Sequence, residues 1–507
     1  MSYATVRSCA LAGVQALPIT VEVRLAGGLP AMSIVGLPQS AVRESKDRVR
    51  SAIEHAGLDF PTNKVIVNLA PADIPKQGGR FDLPIALCIL LANGNLPASS
   101  FKHLVIVGEL GLTGQIREVK GVLPSAASIS HGNSVLLVPQ SNIEEALLSQ
   151  HPRILSAATL ADALQLIKSP QHWNTHFSFS GDSSNEVKAT CEIDYPIDMS
   201  EVVGQHQARR AIEVAAAGSH NVLMVGPPGT GKSMLATRLP TIQPAMTHAE
   251  AMETASVLSI SRSGFDERTW GQRPFRAPHH TASSVALVGG GGNPMPGEVS
   301  LAHNGVLFLD ELPEFSRQVL EVLREPMESR FVTLSRAARQ ATYPAAFQLI
   351  AAMNPCPCGY HGDPDTLCRC TPDQVLRYQA RISGPFLDRL DLHLSMARPP
   401  IQAWREEANE ESSETIRARV VKARALQMVR QGFENTRLSV AQLKTHANLT
   451  QEAKECLALA VEKLNLSLRS MHRIQRVART VADLDGCVNT EVEHMAEALS
   501  YRSVQKC

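Results

Sequence analysis

Val222-Leu-Met-Val-Gly226-Pro227-Pro228-Gly229-Thr230-Gly231-Lys232-Ser233 is the stretch from which the fold follows. Four apolar residues read as a short buried strand. The octapeptide behind them has the spacing of a phosphate loop, in which backbone amides and one lysine cradle a nucleotide triphosphate. Lys232 is expected on the β- and γ-phosphates, Ser233 on Mg²⁺, and the remaining loop residues around the phosphate chain. ATP or GTP is the implied ligand.

The next decisive stretch lies further on, at Val306-Leu-Phe-Leu-Asp310-Glu311. It reads as a second fully buried strand that delivers two carboxylates at its C-terminal end, where open parallel sheets bind their ligands. Asp310 suits Mg²⁺, a hard cation that prefers oxygen ligands, and Glu311 suits the task of orienting and deprotonating a water. Together the two stretches predict hydrolysis and not binding alone.

At 507 residues the chain is long enough for about three domains. Lys plus Arg (49) balance Asp plus Glu (49), so no global basicity draws it onto nucleic acid and any polyanion contact must be local. The longest apolar run, Ile85 to Ala92, falls far short of the ~20 residues that span a bilayer, so no membrane partner is expected. Of ten cysteines, four crowd between 356 and 370 and the others are scattered. Reduced thiols, one candidate metal site and a cytoplasmic location are the expectation.

Residues 1–168 alternate strand-like runs (Ile19 to Leu25, Val65 to Leu69, Leu104 to Val107, Val135 to Val138) with helical stretches (Ser40 to His55, Leu83 to Leu91). Residues 169–198 turn polar and aperiodic, as a linker does. Residues 199–398 carry the nucleotide stretches, and 399–507 read as almost purely helical.

Glu201-Val-Val203-Gly204-Gln205, Asp310-Glu311, Asn354 at the end of the strand Phe347 to Met353, and Arg389 in Leu387-Asp-Arg-Leu-Asp391 together resemble an AAA+ ATPase. The resemblance implies an α/β fold, a P-loop NTPase core with a C-terminal helical lid. It adds Val203 and Gly204 to the nucleotide-binding residues and makes Asn354 the group that aligns the attacking water. Arg389 becomes a finger inserted into a neighbouring subunit's site, a device worth about 10³ to 10⁵ in rate, and a homohexameric ring follows.

Phe275-Arg-Ala-Pro-His279-His280-Thr-Ala-Ser283, Gly289 to Gly292, Pro296-Gly-Glu298 and Leu301-Ala-His-Asn-Gly305 are similar, more narrowly, to the ComM/YifB branch of magnesium-chelatase-like proteins. That resemblance spans the chain. It implies a hexameric DNA helicase that migrates branches in natural transformation or homologous recombination, working on single-stranded or branched DNA beside recombination or transformation proteins. A magnesium-chelatase motor subunit is the nearest alternative.

Arg469, His472, Arg473 and Arg476 share one helical face, with Ile474, Val477 and Val481 on another. Taken alone this is a solvated basic face; by the family resemblance Arg469 reports the γ-phosphate to the lid. Phe331 to Tyr343 reads as two short strands around a cationic turn, resembling the pre-sensor hairpin of ring helicases, with Arg336 and Arg339 as DNA-contacting residues. The plain alternative is an exposed hairpin of ordinary charge. The Gly289 to Gly292 run is a second candidate for close approach to a backbone, or a surface loop.

Cys356-Pro-Cys358 and Cys368-Arg-Cys370 offer two thiolate pairs for a structural Zn²⁺, the alternative being four free thiols. Val21-Glu-Val, Val35-Gly-Leu-Pro38, Val67-Asn-Leu-Ala-Pro71-Ala-Asp73 and Phe81-Asp-Leu-Pro84, among others, resemble the Lon protease domain over 1–168. Asp82 stands about where that family's serine belongs, and Leu123, not Lys120, where its lysine does. A carboxylate cannot replace an alkoxide nucleophile, so an assembly or DNA-guiding platform is expected and a protease-coupled unfoldase disfavoured.

Overall fold

The computed structural model describes residues 3–36, 40–129, 133–176, 193, 195–292, 294–336, 339–398 and 410–502. They form two compact units, one of residues 1–189 with 248–270 and the other of residues 190–247 with 271–507.

The first unit is built on a seven-stranded mixed sheet in the order Ala31–Val35, Lys64–Ala70, Gln15–Ala26, Tyr3–Ala12, Leu104–Ile106, Val135–Pro139, Ile154–Ala157. Tyr3–Ala12 begins with strictly alternating exposed and buried residues, the period-2 pattern of a strand with one face on a core, and pairs antiparallel with Gln15–Ala26 across a tight turn at Gly13 (φ 61°). Helix Asp82–Ala92 is buried from Asp82 through Leu90 and fills the core against that hairpin.

Helix His248–Ser259 and the residues after it belong to this unit, although the sequence reading assigns them to the stretch 199–398. The helix packs on Val122–Ile129. Buried Glu145 accepts at Oε1 from the Ser259 hydroxyl at 2.5 Å and the Leu123 N–H at 3.1 Å, and at Oε2 from the Asn142 amide at 3.1 Å. Lys120 Nζ donates to the carbonyls of Ser261 and Arg262 at 2.8 and 2.7 Å. A polar clasp thus accompanies the apolar contact, and each buried carboxylate oxygen that would be costly to leave bare has a donor. The expected linker also begins later than 169, because Trp173 Nε1 donates to the Leu166 carbonyl at 2.8 Å and its ring packs on the core; 177–192 lie outside the described residues.

The second unit is built on a five-stranded, all-parallel sheet in the order Phe275–Arg276, Val306–Leu309, Gln348–Met353, Val222–Val225, Leu392–Ser395. Both faces are covered, which is why the central strands are apolar throughout. Val222, Met224, Val306, Phe308, Ile350 and Ala352 enter one core, whereas Leu223, Leu307, Leu309, Leu349, Ala351 and Met353 enter the opposite one. The first core also takes Ile416, Val420, Ile474 and Val477 from the C-terminal helices Ser413–Gln431 and Leu468–Leu484. That shared burial joins the helical region to the five-stranded sheet as one body. Its helices begin on side-chain caps at Ser412, Thr450 and Ser467 and two of them end on left-handed residues, Gly432 and Asn465.

Candidate active site

The strand Val222–Val225 stops where Gly226 must slip past its neighbour, since a Cβ on Gly226 would stand 2.4 Å from the Met396 carbonyl oxygen. The chain then turns through Gly229 (φ 79°) and Gly231 (φ 84°) into the helix Lys232–Ile242. Among the described residues, chain neighbours aside, no heavy atom lies within 4 Å of a Cβ built on either glycine, so the loop faces open space at the helix N-terminus. There the unpaired amides and the helix dipole favour an anion.

Lys232 is largely buried and its ammonium bridges this cradle, donating to the carbonyls of Gly226 (2.7 Å) and Pro227 (2.8 Å) and to Asn354 Oδ1 (3.2 Å). Burial lowers its pKa and Asp310 works against that shift. The Ser233 hydroxyl donates to Asp310 Oδ2 at 2.8 Å, while Asp310 Oδ1 accepts the Glu311 N–H at 2.9 Å. Groups from three stretches far apart in sequence therefore converge: Lys232 and Ser233, Asp310, and Asn354. A hydroxyl and a carboxylate in contact beside an anion cradle are a donor set of hard oxygens that fits Mg²⁺, which would be held by Ser233 and Asp310. Such an ion neutralises phosphate charge when bound.

Glu311 sits at φ 53°, ψ 47°, a left-handed conformation that a non-glycine residue adopts at some cost and that occurs preferentially at functional sites. Its carboxylate lies 3.2 Å from His280 Nδ1, and the His280 ring packs against His279 and, edge-on, Phe315. His280 belongs to a stretch whose sequence signal is family likeness alone, and nothing in its local pattern marks it as the partner of Glu311. Val203 and Gly204 lead into the site through Gln205, whose amide donates to the carbonyls of Thr230 (3.2 Å) and Ala397 (2.8 Å). Gly204 itself turns at φ 71° and donates its N–H to Glu410 at 3.0 Å.

Arg389 and Arg469 come together elsewhere. Both pair with the same oxygen of Glu328, Arg389 through Nε at 3.0 Å, and Arg389 also donates to the Pro385 carbonyl at 2.7 Å. Among the described residues neither bonds to the phosphate loop, Asp310 or Asn354. Burial and the neighbouring guanidinium of Arg324 lower the pKa of Arg389. The basic face of helix Leu468–Leu484 is not simply solvated: Arg473 is buried against Asp391, and Arg476 donates to the Leu438 carbonyl at 2.8 Å. A spacing argument sees the cations but not the acceptors that absorb them.

Phe331–Arg336 and Arg339–Pro344 pair antiparallel with Arg336 opposite Arg339, forming the expected hairpin; the side chains of both arginines lie outside the described residues. The Tyr343 hydroxyl anchors the hairpin by donating to the Pro294 carbonyl at 2.8 Å, and burial pushes its pKa up to about 12. Gly289–Gly290 pairs with Met295–Pro296, so half of the glycine run is an ordered ladder. A Cβ on Gly289 would strike the Met295 carbonyl at 2.3 Å and the hairpin residue Leu334 at 3.1 Å. Cys356, Cys358, Cys368 and Cys370 converge on one point directly after Asn354.

In the first unit Asp82 is buried and bound by Arg48 through two contacts (2.7 and 3.2 Å) and by the Leu110 N–H at 3.3 Å. Burial outweighs Arg48 and raises its pKa to about 6. Leu123 is buried in the helix Val122–Ile129, and Lys120 is occupied by the carbonyls of Ser261 and Arg262. Among the described residues, the hydrogen-bond partners of Asp82 are Arg48 and the Leu110 N–H, and those of Lys120 are two carbonyls.

Three family models match in order: subunit ChlI of Mg-chelatase over residues 21–142, magnesium chelatase subunit ChlI over 198–403 and its C-terminal part over 410–502. The competence protein ComM of Haemophilus influenzae is 45% identical over 505 residues, covering 99% of this chain and 98% of that protein. The uncharacterized protein YifB of Salmonella typhimurium is 44% identical over 512 residues, covering 100% and 98%. Lon protease 2 of Bacillus subtilis is 29% identical over 151 residues, 28% of this chain and 27% of that one. With a likeness that runs from end to end and an ATPase core flanked by a Lon-like domain and a helical lid, the chain belongs to the ComM/YifB family of magnesium-chelatase-like AAA+ ATPases.

Proposed function

We propose that the chain is a Mg²⁺-dependent ATPase that assembles as a homohexamer and threads single-stranded or branched DNA, driving branch migration during natural transformation or homologous recombination. The observation that carries this reading is the convergence of Lys232, Ser233, Asp310 and Asn354 at one helix N-terminus, with Ser233 and Asp310 only 2.8 Å apart. Lys232 binds the β- and γ-phosphates of ATP, Glu311 takes a proton from the attacking water, and Asn354 orients that water. Arg389 serves the neighbouring subunit's nucleotide once it leaves Glu328, and Arg469 reports the γ-phosphate to the helical lid. The competence name carried by the Haemophilus relative supports action on DNA, alongside recombination or transformation proteins.

Arg336 and Arg339, at the tip of the hairpin, are the proposed phosphate contacts, reading charge and not sequence. Against a protease-coupled unfoldase stands the structural engagement of Asp82 and Lys120, and the end-to-end likeness to a competence protein favours DNA over a chelatase partner. The test is ATP turnover with and without forked and four-way DNA junctions, and strand displacement on the same substrates, at two salt concentrations. DNA-stimulated hydrolysis that fades steeply with salt is expected. Turnover indifferent to DNA at both concentrations would refute the reading.

A further inference from the structure

The loop that joins Asn354 to the helix Pro372–Gln379 brings four sulfurs together. Cys356 Sγ lies 3.3 Å from Cys358 Sγ and 3.7 Å from Cys368 Sγ, Cys358 and Cys368 are 3.6 Å apart, and all four sulfurs fall within 4.8 Å of one another. A disulfide would bring a pair to about 2 Å. Four thiolates around one Zn²⁺ at about 2.3 Å stand roughly 3.8 Å apart along the edges of a tetrahedron. The spacing is that of a ligand set and not of two bridges.

The surrounding backbone is shaped to match. Gly359 (φ 88°) returns its N–H to the Cys356 carbonyl at 3.0 Å, Gly362 turns at φ 78°, and the N–H groups of Tyr360 and Arg369 point at Cys358 Sγ. Amides directed at a sulfur are donors of the kind that orient a metal ligand.

The same loop abuts the nucleotide site. A Cβ on Gly359 would stand 2.8 Å from Pro228 Cδ in the phosphate loop and 4.0 Å from Asn354 Cγ. Gln379, in the helix that follows Cys370, donates to the Pro355 carbonyl at 3.1 Å. Anything that fixes the four sulfurs therefore fixes Asn354 and Pro228 from one side.

We propose that Cys356, Cys358, Cys368 and Cys370 bind one Zn²⁺ as a tetrathiolate site, and that this metal holds the loop that buttresses Asn354 and the phosphate loop, making ATP turnover depend on zinc. The second half rests on the ATPase reading; the first does not.

The test uses the full-length chain expressed in zinc-supplemented medium, with metal counted by mass spectrometry and exchanged for Co²⁺. Cys368→Ser with Cys370→Ser alters two half-buried ligands, and Cys456→Ser, outside the cluster, is the control. One zinc per chain and a cobalt–thiolate absorption band are expected in wild type and control, and neither in the double variant. Its ATP turnover should fall about tenfold or more, the usual scale for disturbing groups that orient a site. Because the double variant could fail to fold, chelation of the wild type followed by zinc return must abolish and restore turnover in parallel. Wild-type protein with neither zinc nor a cobalt band overturns the site, and full turnover in metal-free protein overturns the buttress. Zinc-loaded protein without turnover under any condition sinks the ATPase reading and leaves the metal site standing.

Discussion

Replacing Arg473 by methionine removes one side of a buried ion pair and leaves the other behind. Asp391 is 2% exposed and Arg473 9%; the guanidinium meets Asp391 Oδ1 and donates to the Arg389 carbonyl at 3.1 Å. After the substitution Asp391 keeps the Asn221 N–H at 2.9 Å and the His220 ring at 3.9 Å, but burial pushes the pKa of His220 down to about 4, so that ring stays neutral. Stranding one partner of a buried pair costs about 3–5 kcal/mol, and the retained amide argues for the lower end, about 3 kcal/mol. At roughly 2 °C per kcal/mol for a unit this large, the melting transition of the full-length chain should fall by about 6 °C, read by scanning fluorimetry.

The pH dependence identifies the cause. In the native protein burial raises the Asp391 pKa, but the charge of Arg473, helped by the Asn221 amide and Arg502, outweighs it and the net shift is downward. Its stabilisation is present above the unfolded value of about 3.9 and is lost only as pH falls through the folded one, so between about pH 7.5 and pH 5 it contributes no slope. In the variant burial prevails, the pKa rises, and protonation at lower pH relieves the penalty by up to about 1.4 kcal/mol per unit. The deficit relative to wild type should therefore shrink on acidification, other titrations cancelling in the difference. A deficit below about 2 °C, or one that holds constant or grows toward about pH 5, would refute the reasoning.

Glu311→Gln should lower ATP turnover by about 10² to 10⁴ while a fluorescent ATP analogue still binds; phosphate release near the wild-type rate would remove Glu311 from the role of base. Arg336→Ala with Arg339→Ala should abolish stimulation by DNA and preserve basal hydrolysis, measured by titrating single-stranded DNA into the ATPase assay. Gly226→Ala forces a methyl to within 2.4 Å of the Met396 carbonyl, so the phosphate loop must shift. Its affinity for ATP should drop by about 1–3 kcal/mol, read by calorimetry, and unchanged affinity would contradict the packing described at that glycine.

Much of the site is legible in the sequence because its parts are local. The apolar tetrad Val222–Val225 announces a strand buried on both faces, and the glycines after it announce the loop. The strand Val306–Leu309 announces its own carboxylates in the same way. What stays hidden is long-range. No pattern in residues 248–270 says which core the helix His248–Ser259 joins, because amphipathic spacing records that a face is buried and not against what. Glu328 is unremarkable in sequence, yet it gathers Arg389 and Arg469 from distant parts of the chain. Arg473 reads as surface charge because its acceptor, Asp391, lies in another element.

The excursion of residues 248–270 has a consequence for how such a chain can be cut. The polypeptide leaves the N-terminal unit, makes the strand Val222–Val225 and the helix Lys232–Ile242, returns to supply His248–Ser259, and goes back to lay down Phe275–Arg276. A gene fragment encoding only the first 189 residues would lack Ser259, the donor to Glu145, and the carbonyls that hold Lys120. The complementary fragment would carry the helix His248–Ser259 without Val122–Ile129, on which it packs. A cut at residue 189 therefore removes contacts from both halves, which a fragment study can read as lost stability in each.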